Sequence, residues 1–267
     1  MNIVEALIKF NDGLTIGISG MSGSMKNKVA RILSEELKLS LINTNKYCKK
    51  DYQDDSANHI NIGSTVDSTD IINWDSDNLY DWKKINDAVD DAKKSGVIVA
   101  GVSLPKDKIK MDMHIHIKLN KQNLLARRKE FIEDHKEDCQ KDQLKYSDDL
   151  LLFNKYTYPY YLSVLEKSSI DKYINANEIV SKNKDDYTET IVDECFSYII
   201  SRVKRMLDEI KPKKELETEV VTETVTETED INDDTESSTE EETPSIGDTS
   251  DELEDEIGSD KYYKPLD

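Results

Sequence analysis

Eight consecutive residues near the N-terminus have the types and spacing needed to hold a phosphate: Gly20, Met21, Ser22, Gly23, Ser24, Met25, Lys26 and Asn27. A turn rich in Gly and Ser points successive backbone N–H groups inward. A helix that follows it adds partial positive charge at its N-terminus. A lysine just after the turn reaches the terminal phosphates of a nucleotide, which makes Lys26 the candidate catalytic cation. The full pattern asks for Gly, four residues, Gly, Lys, then Ser or Thr. Here Met25 stands at the second glycine, with a Cβ where glycine allows close backbone approach. Asn27 stands where a hydroxyl would hold magnesium. Its carbonyl oxygen still suits a hard cation, so Asn27 is the candidate metal position. The alternative is a Gly/Ser turn joining strand to helix without a ligand.

Such a loop must be positioned by a strand before it and a helix after it. Residues 14–18 are an apolar run, and Val29, Leu33 and Leu37 then recur on one helical face. Further strands are expected at 39–42 and 97–102, the second a continuous apolar run of the kind buried on both faces of a parallel sheet. Residues 1–10 alternate loosely and suggest an edge strand. Residues 49–70 show no periodicity and read as a mobile loop. A helix is expected over 81–94, with Ile85, Val89 and Ala92 on one face and Gly96 ending it. Over 113–119 the alternation sets His114, His116 and Lys118 on one side. A His-x-His pair can bind a metal, but no further ligand is near in sequence, so a polar strand face is the reading taken. A charged helix over 121–135 carries Arg127 and Arg128. Pro159 limits helix through the Leu- and Tyr-rich stretch 150–165. A short strand over 173–180 precedes a last helix. Asp186 and Glu189 suit that helix's start, and Val192, Cys195, Phe196, Ile199, Val203, Met206 and Ile210 line one side. Strands alternating with helices imply an α/β domain with a parallel sheet.

The run GISGMSGSMKNK resembles the start of nicotinamide riboside kinases and uridine kinases. Further segments match in the same order: LINTNKYCKK (41–50), INWDSDNLYDW (72–82), VIVAGV (97–102), LLARRKEF (124–131) and FNKYTYPYYLSV (153–164). The resemblance covers about residues 14–210. It implies a P-loop kinase-like domain with a five-stranded sheet, a lid over the phosphates, and transfer of the ATP γ-phosphate to a ribonucleoside 5′-hydroxyl with ATP and Mg2+. Residues 20–27 would bind the nucleotide. Arg127 and Arg128 match the lid arginines, with a solvated helix face as the alternative. Asn45, Tyr47 and Asp75 fall in the substrate-binding segments. Asp75 matches a ribose-binding aspartate, with a loop or capping aspartate as the alternative. Asn45 replaces the family's aspartate after the second strand, and an amide cannot take up a proton as a carboxylate does. Ala100 replaces a glutamate beside the metal. The changes at Met25, Asn27, Asn45 and Ala100 together point to impaired phosphotransfer. The other reading is a catalytically inactive pseudokinase that binds nucleotide or protein.

The 267 residues carry a formal charge of −20, very unevenly spread. Residues 215–260 hold 20 acidic residues and no Lys or Arg, so residues 215–267 carry −19 and residues 1–214 only −1. A kinase-like domain over 1–212 and an acidic, disordered tail over 213–267 are therefore expected. The tail would repel nucleic acid and suit a basic protein partner. Three scattered cysteines, Cys48, Cys139 and Cys195, suggest reduced thiols and a cytoplasmic setting. No apolar run is long enough for a bilayer, so no membrane association is expected.

Overall fold

A computed structural model describes residues 2–62, 69–73, 76–134, 150–177, 179 and 187–224. Two units are distinguished, with the break after Ile210. In the first, α1 (Ile3–Asn11), β1 (Thr15–Ser19), α2 (Lys26–Leu37) and β2 (Ser40–Asn43) come first. The chain continues through β3 (His59–Ile62), β4 (Thr69–Ile72), α3 (Trp82–Ala92), β5 (Val97–Gly101), β6 (Met113–Lys118) and α4 (Lys121–Asp134). Then follow α5 (Tyr158–Lys167), β7 (Lys172–Asn175) and α6 (Tyr187–Thr224).

Five strands form one parallel sheet in the order β2-β5-β1-β6-β7. Parallel neighbours need crossover connections, which lay helices on both faces and bury the inner strands completely. Strand β1 is the middle of the sheet, and all five of its residues are buried. Strand β5 lies beside it, as its apolar run requires, with Ile16 opposite Ile98 and Ser19 opposite Gly101. Its side chains alternate between two cores. Ile98 and Ala100 join the cluster of Leu7, Val29, Leu33, Ile115, Ile191 and Ile199, whereas Val97 and Val99 join Ile42, Tyr80, Ile85 and Leu104. Each large side chain so buried contributes about 1.5–3 kcal/mol. Helix α6 faces the first core with Val192, Cys195, Ile199 and Val203, as its periodicity requires. The three-layer α/β architecture, the P-loop NTPase fold expected from the sequence, is thus present.

Several local readings are corrected. Residues 3–11 form a helix and not an edge strand. Asn2 Oδ1 accepts from the Glu5 N–H at 2.9 Å and Glu5 Oε2 from the Asn2 N–H at 2.9 Å, a reciprocal cap, while Val4 and Leu7 are buried. The stretch 49–70, expected as a loop, contains short 3-10 turns and one strand of the antiparallel hairpin β3–β4. Tyr52 anchors it, 3% exposed, with its hydroxyl donating to the Asn73 carbonyl at 2.6 Å. The expected polar face of β6 is interior, with His114 and His116 both buried. Pro159 sits in the first turn of α5, where its missing N–H is harmless, after a π turn over Phe153–Thr157. Asp186 lies outside the described residues.

The second unit is Lys211–Tyr262, and helical backbone continues in it as far as Thr224, past the boundary expected at 212. The acidic segment beyond Thr224 lies outside the described residues. Among the described residues no helix is long and apolar enough to cross a membrane.

Candidate functional site

The loop over 20–25 leaves the carboxyl end of β1 and enters α2 at Lys26. Two of its residues are held in left-handed backbone. Gly23 has φ 87°, which glycine adopts without strain. Met25 has φ 65° and ψ 14° and is the residue preceding α2. Met25 thus holds a backbone conformation that glycine favours, at a cost of about 1–2 kcal/mol for an L side chain. Gly20 has no room for a Cβ, which would fall 2.3 Å from Ser24 Oγ and 2.9 Å from the Ile117 carbonyl oxygen. The Ser24 N–H donates to the Met21 carbonyl at 2.9 Å and folds the loop back on itself.

The interior of this loop is polar and closed. Lys26 is 1% exposed, Ser24 1% and Ser22 4%. Ser24 Oγ is buried without a hydrogen-bond partner. An orphaned hydroxyl costs about 1–3 kcal/mol, and a phosphate oxygen in the loop would relieve it. Donor hydroxyl, lysine and helix start therefore fit the phosphates of a nucleotide. Arg127 on α4 is brought to the same place: its Cβ lies 3.4 Å from where a Cβ on Gly23 would stand. The backbone of Arg128 lies on the same helix, and its side chain is outside the described residues.

The ends of β2 and β5 are different. Asn45 and Tyr47 lie on a 3-10 turn, Thr44–Tyr47, directly after β2. The Asn45 N–H donates to Asn43 Oδ1 at 3.0 Å, and Asn45 Oδ1 accepts from the Tyr80 hydroxyl at 3.4 Å. Tyr47 packs against the second core. Ala100 is 1% exposed, inside β5. Thr44, which sequence reasoning passed over, is fully buried, and its Oγ1 lacks a hydrogen-bond partner. It lies 3.0 Å from where a Cβ on Gly101 would stand, so a side chain at Gly101 would fit only if Thr44 gave way by a few tenths of an ångström. No Asp or Glu occurs over 40–47 or 97–104. Magnesium prefers hard oxygen ligands and commonly one or two carboxylates. With Asn27 the only predicted ligand, the donor set fits magnesium poorly. Among the described residues no cluster of three His, Cys, Asp or Glu could hold a metal.

Asp75 lies outside the described residues. Its neighbour Asp77 was not singled out in the sequence, yet it is tightly held. Asp77 Oδ1 accepts from the Tyr160 hydroxyl at 2.5 Å, and the Asp77 N–H donates back to that oxygen at 2.9 Å. Burial and this carboxylate push the Tyr160 hydroxyl well above the usual phenol range. Tyr160 also lines a narrow cleft of about 10 Å³, room for a single water, with Met21, Val102, Ser103, Thr157 and Tyr161. The cleft thus adjoins both the phosphate loop and the end of β5, where ligands of open α/β sheets bind.

No family model and no curated protein matches the sequence. Among solved structures the chain is similar to a gluconokinase from Sinorhizobium meliloti 1021, at 10% identity and TM-score 0.41, over 75% of this chain and 97% of that one. It is also similar to an uncharacterized protein from Eubacterium ventriosum ATCC 27560, at 16% identity and TM-score 0.39, over 71% of this chain and 99% of that one. The parallel order β2-β5-β1-β6-β7, with the glycine turn between β1 and α2 and Lys26 opening the helix, gives the chain a three-layer α/β fold with a P-loop-like turn.

Proposed function

We propose that this chain is a P-loop nucleoside kinase-like protein whose phosphate cradle works and whose phosphotransfer is impaired. The loop over 20–27 holds the phosphates of ATP through backbone N–H groups, Ser24 and Lys26, and Arg127 adds positive charge from α4. The acceptor is the 5′-hydroxyl of a ribonucleoside, of the nicotinamide riboside or uridine kind, seated toward the ends of β2 and β5. Asn45 orients that hydroxyl without taking its proton, because an amide has no basic oxygen. Catalysis of this transfer is mostly positioning and charge stabilisation, so the chain keeps part of the machinery. One observation carries the reading: the cradle keeps its geometry, Met25 included, while the ends of β2 and β5 hold no carboxylate.

A second reading has no transfer at all. The domain would then be a nucleotide- or protein-binding module, with the acidic segment 215–260 engaging a basic partner. The burial of Ala100 in the apolar core favours it, since a charge placed there would lose its hydration.

Calorimetry with ATP, with and without Mg2+, and a radiolabelled γ-phosphate assay on a ribonucleoside panel test both readings. Saturable ATP binding lost in Lys26→Ala, with slow transfer, supports the first. Binding with no transfer above background favours the second. Absence of ATP binding overturns the first and leaves only the protein-binding form of the second.

A further inference from the structure

Beneath the phosphate loop runs a line of buried polar groups that the proposed transfer does not use. Ser19, the last residue of β1, precedes Gly20. Its Oγ lies 2.7 Å from His114 Nε2 and 2.8 Å from His116 Nδ1. His116 Nε2 is 2.6 Å from the Tyr161 hydroxyl, and His114 Nδ1 is 3.1 Å from the Ser169 carbonyl oxygen. Ser19, His114, His116 and Tyr161 are all buried, at 1%, 1%, 0% and 6% exposure.

The carbonyl at one end fixes the direction of every proton. A carbonyl only accepts, so His114 Nδ1 carries its proton. Burial holds both rings neutral, and His116 is pushed down to about 3 by that burial, with His114 and Lys118 adding to it. Neutral His114 therefore accepts at Nε2, and the Ser19 hydroxyl donates to it. The Ser19 oxygen then accepts from His116 Nδ1–H. His116 Nε2 is left as an acceptor, and Tyr161 donates to it. All four bonds run one way, from Tyr161 to Ser169.

We propose that this directed chain makes Ser19 a positioning residue for the phosphate loop, with His116 and Tyr161 acting through it. The placement supports this. Ser19 stands opposite Gly101 on one side and His116 on the other, so it joins three strands at the point where the loop begins. The next residue is pinned as well, the Gly20 N–H donating to the Gly101 carbonyl at 3.3 Å. A fully satisfied buried network permits one arrangement where apolar packing would tolerate several. The loop's N–H groups therefore leave β1 in one fixed orientation. The inference rests on the reading that the loop holds phosphates, but its proton order does not.

Two measurements on the full chain separate these. Nitrogen-15 spectra of the histidine rings at pH 7 should show His114 and His116 neutral with the proton on Nδ1. In Tyr161→Phe both rings should keep the proton on Nδ1, whereas in Ser19→Ala the His116 ring should become a mixture of tautomers while His114, pinned by Ser169, keeps its proton on Nδ1. An Nε2–H form or an imidazolium at either position in the wild type overturns the directed chain. Inorganic tripolyphosphate is the probe for the loop. Ser19→Ala should weaken its binding about ten-fold, and Ser19→Thr, which keeps the hydroxyl, should restore it. Circular dichroism confirms that both variants fold. Equal binding by folded Ser19→Ala and wild type overturns the positioning role. Failure of the wild type to bind tripolyphosphate, with the tautomers as stated, overturns phosphate binding and with it the loop-positioning role, and leaves the proton order standing.

Discussion

The carboxyl end of β1 and the carboxyl ends of β2 and β5 lie side by side in one sheet, yet they have been treated differently. At β1 the cradle geometry survives a substitution that should disfavour it, since Met25 accepts left-handed backbone in place of glycine. At β2 and β5 the backbone is equally regular, but the places that the proposed reading assigns to a base and a metal-linked acid hold Asn45 and Ala100. On the proposed reading, shape is kept where phosphates would be bound and chemistry is lost where protons and metal would be handled. A sheet core tolerates an alanine in place of a glutamate at no cost to packing, whereas the loop cannot lose Gly20 without a collision with Ser24 and Ile117.

The largest effect should come from restoring the second region. The threefold variant Met25→Gly, Asn27→Thr, Asn45→Asp should transfer phosphate about 10²–10⁴-fold faster than wild type, the usual contribution of a general base. The loop pair alone, Met25→Gly with Asn27→Thr, should improve ATP and Mg2+ binding and add little turnover. Steady-state kinetics on a ribonucleoside panel decides this. If the loop pair alone gives the full gain, the two regions do not differ as described.

Breaking the first region should cost binding. Lys26→Ala removes a charge-assisted contact and should weaken ATP binding about 10–100-fold by calorimetry. An unchanged affinity would mean that Lys26 is only a buried structural lysine.

The buried histidines give a pH signature. His116 is pushed from its ordinary 6.5 down to about 3, and His114 is also lowered. Above about pH 6.5 both states are neutral there and stability is unaffected. As pH falls below 6.5 the unfolded chain binds protons that the folded rings refuse, so stability falls by about 1.4 kcal/mol per pH unit and per ring until the folded ring titrates. The groups facing the pair are Lys118 on β6, Tyr161 on α5, and Asp171 and Tyr173 at β7. Urea denaturation at pH 7 and pH 5 should show a smaller drop for His116→Gln than for wild type. Equal drops would mean that His116 is not held neutral.

The smallest effect concerns Gly20. Gly20→Ala should destabilise the fold by about 1–3 kcal/mol, as overpacking usually does, read as a lower urea midpoint. No change would mean that the loop relaxes freely and its shape is not fixed.

The first region was legible because strand, turn and helix carry distinct local signals: the apolar run at 14–18, the glycines, then apolar residues four apart. The second was legible only as substitutions in a resemblance, and Asp75, the Arg128 side chain and the segment beyond Thr224 lie outside the described residues. What the sequence hid was mostly tertiary. Asn2 and Glu5 spell a helix cap, so the N-terminal helix was readable and was missed because its alternation looked like a strand. The four-residue strands of the β3–β4 hairpin are too short for periodicity to register. The burial of His114 and His116 depends on partners 45 to 97 residues away, Tyr161 and Ser19, which no local pattern reveals.

The central claim, a working cradle beside an impaired centre, is tested most directly by measuring ATP affinity and single-turnover phosphotransfer on one preparation of wild-type protein. The account predicts saturable ATP binding that Lys26→Ala weakens, with transfer to any ribonucleoside far below the ~1–100 s⁻¹ usual for kinases. Transfer within that range, or no ATP binding at all, would contradict it.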